Sequence, residues 1–409
     1  MKLIANGLEG LRRLRGDWRR PEALLIVMAL AMPLSFATWQ ALLNNFVIEE
    51  ASFTGVEIGI LQSLREVPGF LAFTVVFVLL VMREQTFAMV ALCLLGIGTA
   101  ITGFFPFALG LYCTTVLMST GFHYFETVRQ SLALQWVSKD RAPLFLGQMI
   151  AVGSFSGLTA FGLIYLAFEI LELGMRWVYL LGGSATVALT VWAWIAFPRF
   201  PAKVEQRKRL ILRRRYWLYY AIVFMSGARR QIFVVFAGFL MVEKFGFSVK
   251  AMTLMFLANL FMNIVMAPLI GKLIGRWGER RALTCEYIGL IAVFLGYAFV
   301  SSPWIAVGLY IVDHLFFSMS IAIKTYFQKI ADPADIASSI GVSFTINHIA
   351  AVVIPVLFGL LWIISPSAVF LAGAAMALLS LALARMVPPA PSQEIVSVFT
   401  RAPAAAAAD

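Results

Sequence analysis

Twelve apolar runs, each close to the thickness of a bilayer's hydrocarbon core, leave this chain little choice of solvent. About 20 apolar residues carry a helix across. The runs fall at 23 to 44, 55 to 82, 86 to 105, 107 to 137, 143 to 169 and 175 to 197, then at 216 to 242, 249 to 274, 282 to 302, 303 to 330, 336 to 364 and 367 to 387. Composition agrees, since 61% of the 409 residues are hydrophobic and 13% charged, with a mean hydropathy of +0.88, outside the soluble range. The pattern predicts an all-α integral membrane protein of twelve transmembrane helices. The runs at 107 to 137 and 303 to 330 exceed the bilayer thickness and predict tilted helices that emerge on one side.

A net charge of +11 would suit a nucleic-acid partner, but its distribution excludes that reading. Arg12, Arg13, Arg15, Arg19 and Arg20 precede the first run, and a basic series from Arg199 to Arg215 fills the gap after the sixth. Lys139, Arg141, Lys272, Arg276, Arg280 and Arg281 fall in loops on that same side. The opposite loops hold mainly Glu49, Glu50, Glu57, Glu169, Glu172 and Glu243. Cationic loops stay in the cytoplasm, so both termini are predicted there, in a multi-pass protein of the inner, cytoplasmic membrane. Cys93, Cys113 and Cys285 are isolated, which gives neither a disulfide framework nor a thiolate metal site. No cofactor is predicted, and no cleavable signal peptide is evident.

Before the first run, Ile4, Leu8, Leu11, Leu14 and Trp18 recur at helical spacing with arginines among them, as in a surface helix on the inner leaflet. Pro198, Pro201 and the basic run mark a linker. The expected divisions are a basic amphipathic segment 1–22, a first six-helix bundle 23–198, a cytoplasmic linker 199–215, a second bundle 216–387 and a tail 388–409, whose alanine-rich end carries no argument. A shift of 194 residues supports a repeat. It lays Glu49, Phe53 and Thr54 on Glu243, Phe247 and Ser248, Gly147 on Gly341, and the Arg129–Gln130 region on Lys324. Parallel repeats of this kind build many secondary transporters.

The stretch from Gly271 to Leu283, GKLIGRWGERRAL, resembles the GxLxDRxGRR loop that the major facilitator superfamily carries between helices two and three and often again between eight and nine. Gly271, Leu273, Arg276, Gly278 and Arg280 fit, while Gly275 replaces the usual Asp and Glu279 the first paired basic residue. The resemblance implies two bundles that alternate access to a central site, with Gly271, Arg276, Gly278 and Arg280 in a cytoplasmic gate. The first-half copy is reduced to a short turn around Arg83-Glu84. Antiporter motifs of helices four and five are absent at Leu117 and in 153–158, which removes support for drug and proton antiport.

Ionisable groups inside the apolar runs are expensive and mark function. His123, Glu126 and Gln130 share one side of the fourth helix by spacing, with Arg129 at the edge. Together with Lys139 and Arg141, Arg129 suits a cytoplasmic anchor or gate. Arg229 and Arg230 stand mid-span in the seventh helix and need anions because they stay charged. Glu66, Glu126, Asp313 or a substrate carboxylate or phosphate would supply them. In the family the first, fourth, seventh and tenth helices line the cavity, so Gln40, Asn44, Arg229, Arg230, Asp313 and His314 are the expected substrate-binding residues. Glu126, His123, Glu66 and Asp313 are the expected proton carriers. Arg65 and Glu66 point about 100° apart and are expected not to pair with each other, and Pro68 suggests a bend. Gly153 and Gly157 fit a close-packing face, and Asn347 and His348 fit packing more than a cavity rim.

These features predict a secondary carrier of a small polar or anionic organic solute, coupled to H+, in contact with lipid and with no nucleic acid. One alternative is a divalent-metal carrier using His123, Glu126, Asp313 and His314. Another is a receptor or scaffold that keeps the fold without transport. Without a nucleotide-binding GxxxxGK[ST], HExxH or GxSxG, neither an ATP-driven pump nor an enzyme is expected. Oligomeric state has no signal in the sequence.

Overall fold

The computed structural model describes residues 18–400 except Thr54 and Ser248. Two expectations fall partly outside these bounds: the amphipathic segment, of which residues 18–22 are described, with Trp18 stacking on Trp192, and the Thr54 to Ser248 pair of the repeat.

The described residues are mostly helical, with no strand among them, and the helices come in the order the apolar runs predict. The first half holds α1 (Pro21–Glu49), α2 (Gly55–Phe70), α3 (Glu84–Thr102), α4 (Ala108–Trp136), α5 (Ala142–Glu169) and α6 (Met175–Ala196). The second holds α7 (Trp217–Gln231), α8 (Val249–Trp277), α9 (Glu279–Phe299), α10 (Pro303–Ser318, resumed at Ile321–Ile330), α11 (Ile336–Ile364) and α12 (Pro366–Met386). Among the described residues ten helices are long and apolar enough to cross a membrane. The 29-residue helices α4 and α11 have the length of a crossing as well.

Three helices are broken where the sequence carries polar or proline residues. Pro68 lies inside α2, which passes into a 3-10 turn at Leu71–Thr74 and a last helical stretch Val75–Val78, because the ring removes an amide and frees a carbonyl. A π-helical segment, Ile232–Ala237, follows Arg229, Arg230 and Gln231 at the end of α7, a form that often accompanies functional sites. In α10 the backbone bonds tighten around Met319 and Ser320, so Asp313 and Lys324 sit on separate segments.

The repeat is visible in the backbone. The Phe53 amide donates to the Val47 carbonyl at 2.9 Å, and the Phe247 amide donates to Met241 at 3.1 Å, both ends of the bond shifted by 194. Within the first half, α1 packs on α5 and α6, and α3 on α4 and α6; within the second, α7 packs on α11 and α12, and α9 on α12. Between halves, α5 meets α8 and α11 meets α2 and α4. The repeat-related glycines stand at these crossings. A Cβ on Gly147 would lie 2.3 Å from the Ala267 carbonyl of α8, and one on Gly341 3.0 Å from the Ala72 carbonyl beside α2. Only glycine permits such backbone approach.

The Gly271 to Leu283 stretch is not a loop. Helix α8 runs to Trp277 and α9 starts at Glu279, leaving Gly278 alone between them with φ +78°, a conformation that glycine adopts without strain. Gly271 abuts the Pro143 carbonyl of α5, Arg276 is exposed, and Arg280 borders a surface hollow with Arg281 and Arg385. Glu279, which replaces a basic residue of the motif, is buried and paired at 2.7 Å with Lys329 of α10.

The 199–215 segment is not a free linker. Arg207 and Arg213 bind the buried Asp335 carboxylate at the start of α11, and Arg207 also reaches Asp332 at 2.7 Å. Gln206 donates to the Pro333 carbonyl, and the Ile211 amide donates to Ser338. The segment is strapped along the α10–α11 turn.

Candidate functional site

A cavity of about 360 Å³ lies among α1, α4, α5, α8 and α10. Its wall is mostly apolar, including Met32, Phe36, Phe161 and Leu260, and its polar members include Gln40, Arg129 and Lys324. Among the described residues, no acidic side chain lines it. Arg129, expected as a cytoplasmic anchor or gate, lines this cavity. Behind it the Glu126 carboxylate accepts two hydrogen bonds, from Arg129 Nε at 2.9 Å and Nη2 at 2.7 Å. This fork is the strong form of a guanidinium–carboxylate pair. Lys324 stands within the electrostatic reach of Arg129, Glu126 and Arg230. Gly153 and Gly157 also line the cavity. A Cβ on either would meet its nearest neighbour at 3.8 Å, so they make space and are not the tight seam expected of them.

Arg229 and Asp313 lie elsewhere. Both line a second cavity of about 20 Å³ with Ser226, Arg230 and Glu286, barely room for one water. Arg229 Nη2 stands 3.9 Å from Glu286 Oε1, and its guanidinium lies 4.3 Å above the Tyr287 ring. Both Arg229 and Glu286 are buried, and among the described residues Arg229 Nη1, Glu286 Oε2 and Asp313 Oδ2 meet no hydrogen-bond partner. With Arg230 on the same wall, two guanidiniums face two carboxylates, and buried charges of this kind are retained in pairs. Glu286 was missed in the sequence because it stands only one turn inside the expected ninth run.

The other predicted residues separate into small groups. His123 does not pair with Glu126; its Nδ1 bonds back to Ser119, and its ring meets that of His348 at 4.9 Å between centroids. His348 of α11 also approaches Glu66, at 4.0 Å, so it belongs to a polar cluster where packing was favoured over a cavity rim. Asn347 packs against Gly227 of α7. Arg65 does pair with Glu66, at 2.5 Å, against the expectation from helical angle: both side chains are long enough to curl toward each other. His314 exchanges a hydrogen bond with Asn259 at 3.0 Å. Asn44 is exposed. The set His123, Glu126, Asp313 and His314 is not brought together. Among the described residues, the histidines and acids close enough to share one ion are Glu66, His123 and His348.

A family model described as the Major Facilitator Superfamily matches residues 24–355. No curated protein matches the sequence. Solved structures share the fold at low identity. The outward conformation of the MFS transporter FucP aligns with TM-score 0.72 at 14% identity, covering 89% of this chain and 98% of that one. The human organic anion transporter MFSD10 aligns with TM-score 0.70 at 14% identity, covering 90% and 99%. A bacterial homologue of the iron transporter ferroportin, outward-facing, aligns with TM-score 0.70 at 13% identity, covering 89% and 98%.

Proposed function

This chain belongs to the major facilitator superfamily of transporters, and we propose that it is a secondary carrier that moves a small organic anion together with a proton. The proposal includes twelve crossings in two six-helix bundles, 23–198 and 216–387, with the 199–215 segment and both termini in the cytoplasm of an inner-membrane protein. The bundles rock about the central cavity in alternating access.

One observation carries the choice of cargo: Arg129 and Lys324 face a cavity with no acid on its wall. Two cations there suit a carboxylate or phosphate, and the apolar wall suits the organic body attached to it. Glu126 supplies the coupling. While ionised, it occupies the Arg129 fork. Once protonated, it no longer competes, and Arg129 with Lys324 can take the anionic group of the solute. Proton and solute then load together, the first favouring the second through a shared guanidinium. Gln40 is placed to orient the polar part of the cargo. Arg229, already matched by Glu286 and close to Asp313, is assigned to structure and charge balance and not to the solute.

The experiment begins with a thermal-shift screen of purified protein against organic anions, followed by flux in proteoliposomes. Glu126→Gln should abolish accumulation driven by a pH gradient while solute exchange persists. Lys324→Ala should weaken binding itself. If Glu126→Gln accumulates solute with wild-type dependence on the gradient, coupling through Glu126 is wrong and the Arg229, Glu286 and Asp313 group takes its place. Absence of any flux from folded protein would favour a receptor or scaffold.

A further inference from the structure

We propose that Glu66, His123 and His348 form a binding site for one divalent transition-metal ion that bridges the two halves of the molecule. This does not depend on the identity of the cargo.

The chemistry follows from what each imidazole has already committed. His123 Nδ1 lies 3.0 Å from the Ser119 carbonyl and 2.9 Å from its Oγ. That hydroxyl donates to the Arg65 carbonyl, so toward His123 it accepts. His348 Nδ1 lies 2.8 Å from the Phe344 carbonyl. A carbonyl can only accept, so both Nδ1 atoms carry their protons, and in the neutral imidazoles both Nε2 atoms present lone pairs. Among the described residues no hydrogen-bond donor meets either Nε2. Glu66 gives one oxygen, Oε1, to Arg65 and turns Oε2 toward His348 Nε2 at 4.0 Å. The cluster therefore converges acceptors on acceptors, an arrangement that a cation completes. Backbone carbonyls on Nδ1 are also the support that metal-binding histidines commonly have.

The fit is close. One ligand atom from each residue lies within 4.8 Å of the others, whereas tetrahedral ligands on a metal at about 2.1 Å stand roughly 3.4 Å apart. Side-chain rotation of about an ångström closes the difference. Gly69 makes the room: a Cβ there would lie 2.4 Å from His348 Cδ2 and 2.7 Å from His123 Cδ2. Two imidazoles and one carboxylate favour zinc, cobalt or a similar first-row ion over magnesium or calcium. Arg65 and Arg230 lie within electrostatic reach of the cluster and oppose the ion's charge, so the site suits a bound bridge and not a path along which cations are concentrated. Because α2 and α4 belong to one half and α11 to the other, the ion would hold the halves in this arrangement.

The chain has 3 histidines, which makes the test direct. Purified full-length protein without a histidine tag is titrated with Co2+ and followed by its visible absorption, and Zn2+ is added in a thermal-unfolding series. Saturable binding of one equivalent and a Zn2+-dependent rise in unfolding temperature are expected. His123→Gln and His348→Gln should each weaken Co2+ binding by more than the roughly 10–100-fold that loss of a supporting group costs. His314→Gln should leave it unchanged. Gly69→Ala, which fills the cradle without removing a ligand, should also weaken it, and unfolding profiles without metal establish that each variant is folded. No saturable binding by the wild type, or binding that survives in the His123→Gln/His348→Gln double variant, would overturn the proposal.

Discussion

Asp335 is the buried anchor of the 199–215 strap, and its removal is the sharpest structural test of that segment. Its Oδ1 accepts from Arg207 and Arg213, and its Oδ2 accepts from Arg213 and from the Tyr216 hydroxyl at 3.1 Å. In Asp335→Asn one oxygen becomes an amide that faces donors, and the ionic attraction goes. Loss of one partner from a fully buried ion pair costs about 3–5 kcal/mol. Here the arginine side chains are 35% and 37% exposed and can turn to water, so about 2 kcal/mol is the reasoned local cost. The Lys203, Lys208 and Arg209 side chains are already exposed, but the backbone beside them and beside Arg207 is held by the strap, and opening it frees that backbone to enter the trypsin active site. Where opening is fast relative to cleavage, the cutting rate follows the open population, so about 2 kcal/mol becomes a roughly 30-fold faster cut within the segment. Limited trypsinolysis of both proteins in the same detergent, with fragments identified by mass, reads this out. An unchanged rate would refute the reasoning.

The same anchor sets a pH dependence. Burial alone would raise the Asp335 pKa, but the hydrogen bonds and charges of Arg213 and Arg207 outweigh it and hold the carboxylate below its ordinary range. A depressed folded pKa contributes stability that is present above the unfolded value of about 3.9 and is lost as pH falls through the folded one. The strap should therefore hold unchanged by this group down to about pH 5 and loosen only in stronger acid.

Gln328 of α10 donates to the Leu134 and Val137 carbonyls of α4, both at 2.7 Å; Gln328→Leu should loosen this crossing and raise thiol labelling of a cysteine placed at Leu134, and labelling equal to that in the Gln328 background would count against a seal here. Cysteines introduced at Lys208 and at Glu172, in a protein freed of its own cysteines, should label from opposite faces of intact cells. Labelling of both from outside would sink the assignment of the strap and termini to the cytoplasm.

Where the long apolar helices fall was legible because hydrocarbon imposes a length and an apolar composition on a spanning helix, and among the described residues the helix bounds follow the predicted runs. Partners within the membrane were less so. Spacing on α4 put His123, Glu126 and Gln130 on one side, yet His123 turned to α2 and α11, and Glu126 to Arg129. Interhelical distances decide such choices, and one helix's periodicity does not contain them. Glu286 escaped notice for a related reason: near the end of an apolar run an acid looks like a boundary, and only the fold places it beside Arg229. The Arg65–Glu66 pair shows the limit of angular reasoning, since side-chain reach overrode the 100° between neighbouring positions.

The 194-residue shift gains its meaning from contacts that no alignment of two segments could reveal. Gln328 donates to Leu134, its own counterpart under that shift, so related positions of the two halves meet where α10 crosses α4. Gly147 against α8 and Gly341 against α2 are likewise one contact made twice. Beyond these lies Gly271 against Pro143, in the stretch that resembles the family's gate. All of these contacts stand toward the arginine-rich ends of the helices, which on the proposed topology are cytoplasmic. On the proposed topology these contacts close the cytoplasmic side of the cavity that holds Arg129 and Lys324. In the proposed alternating-access cycle the related crossings part together to admit solute there, and the Glu66, His123 and His348 cluster, which draws on α2, α4 and α11, parts with them. An ion held by those three residues would oppose the motion from the bilayer's middle, where a single bond between halves restrains both ends of the rocking bundles.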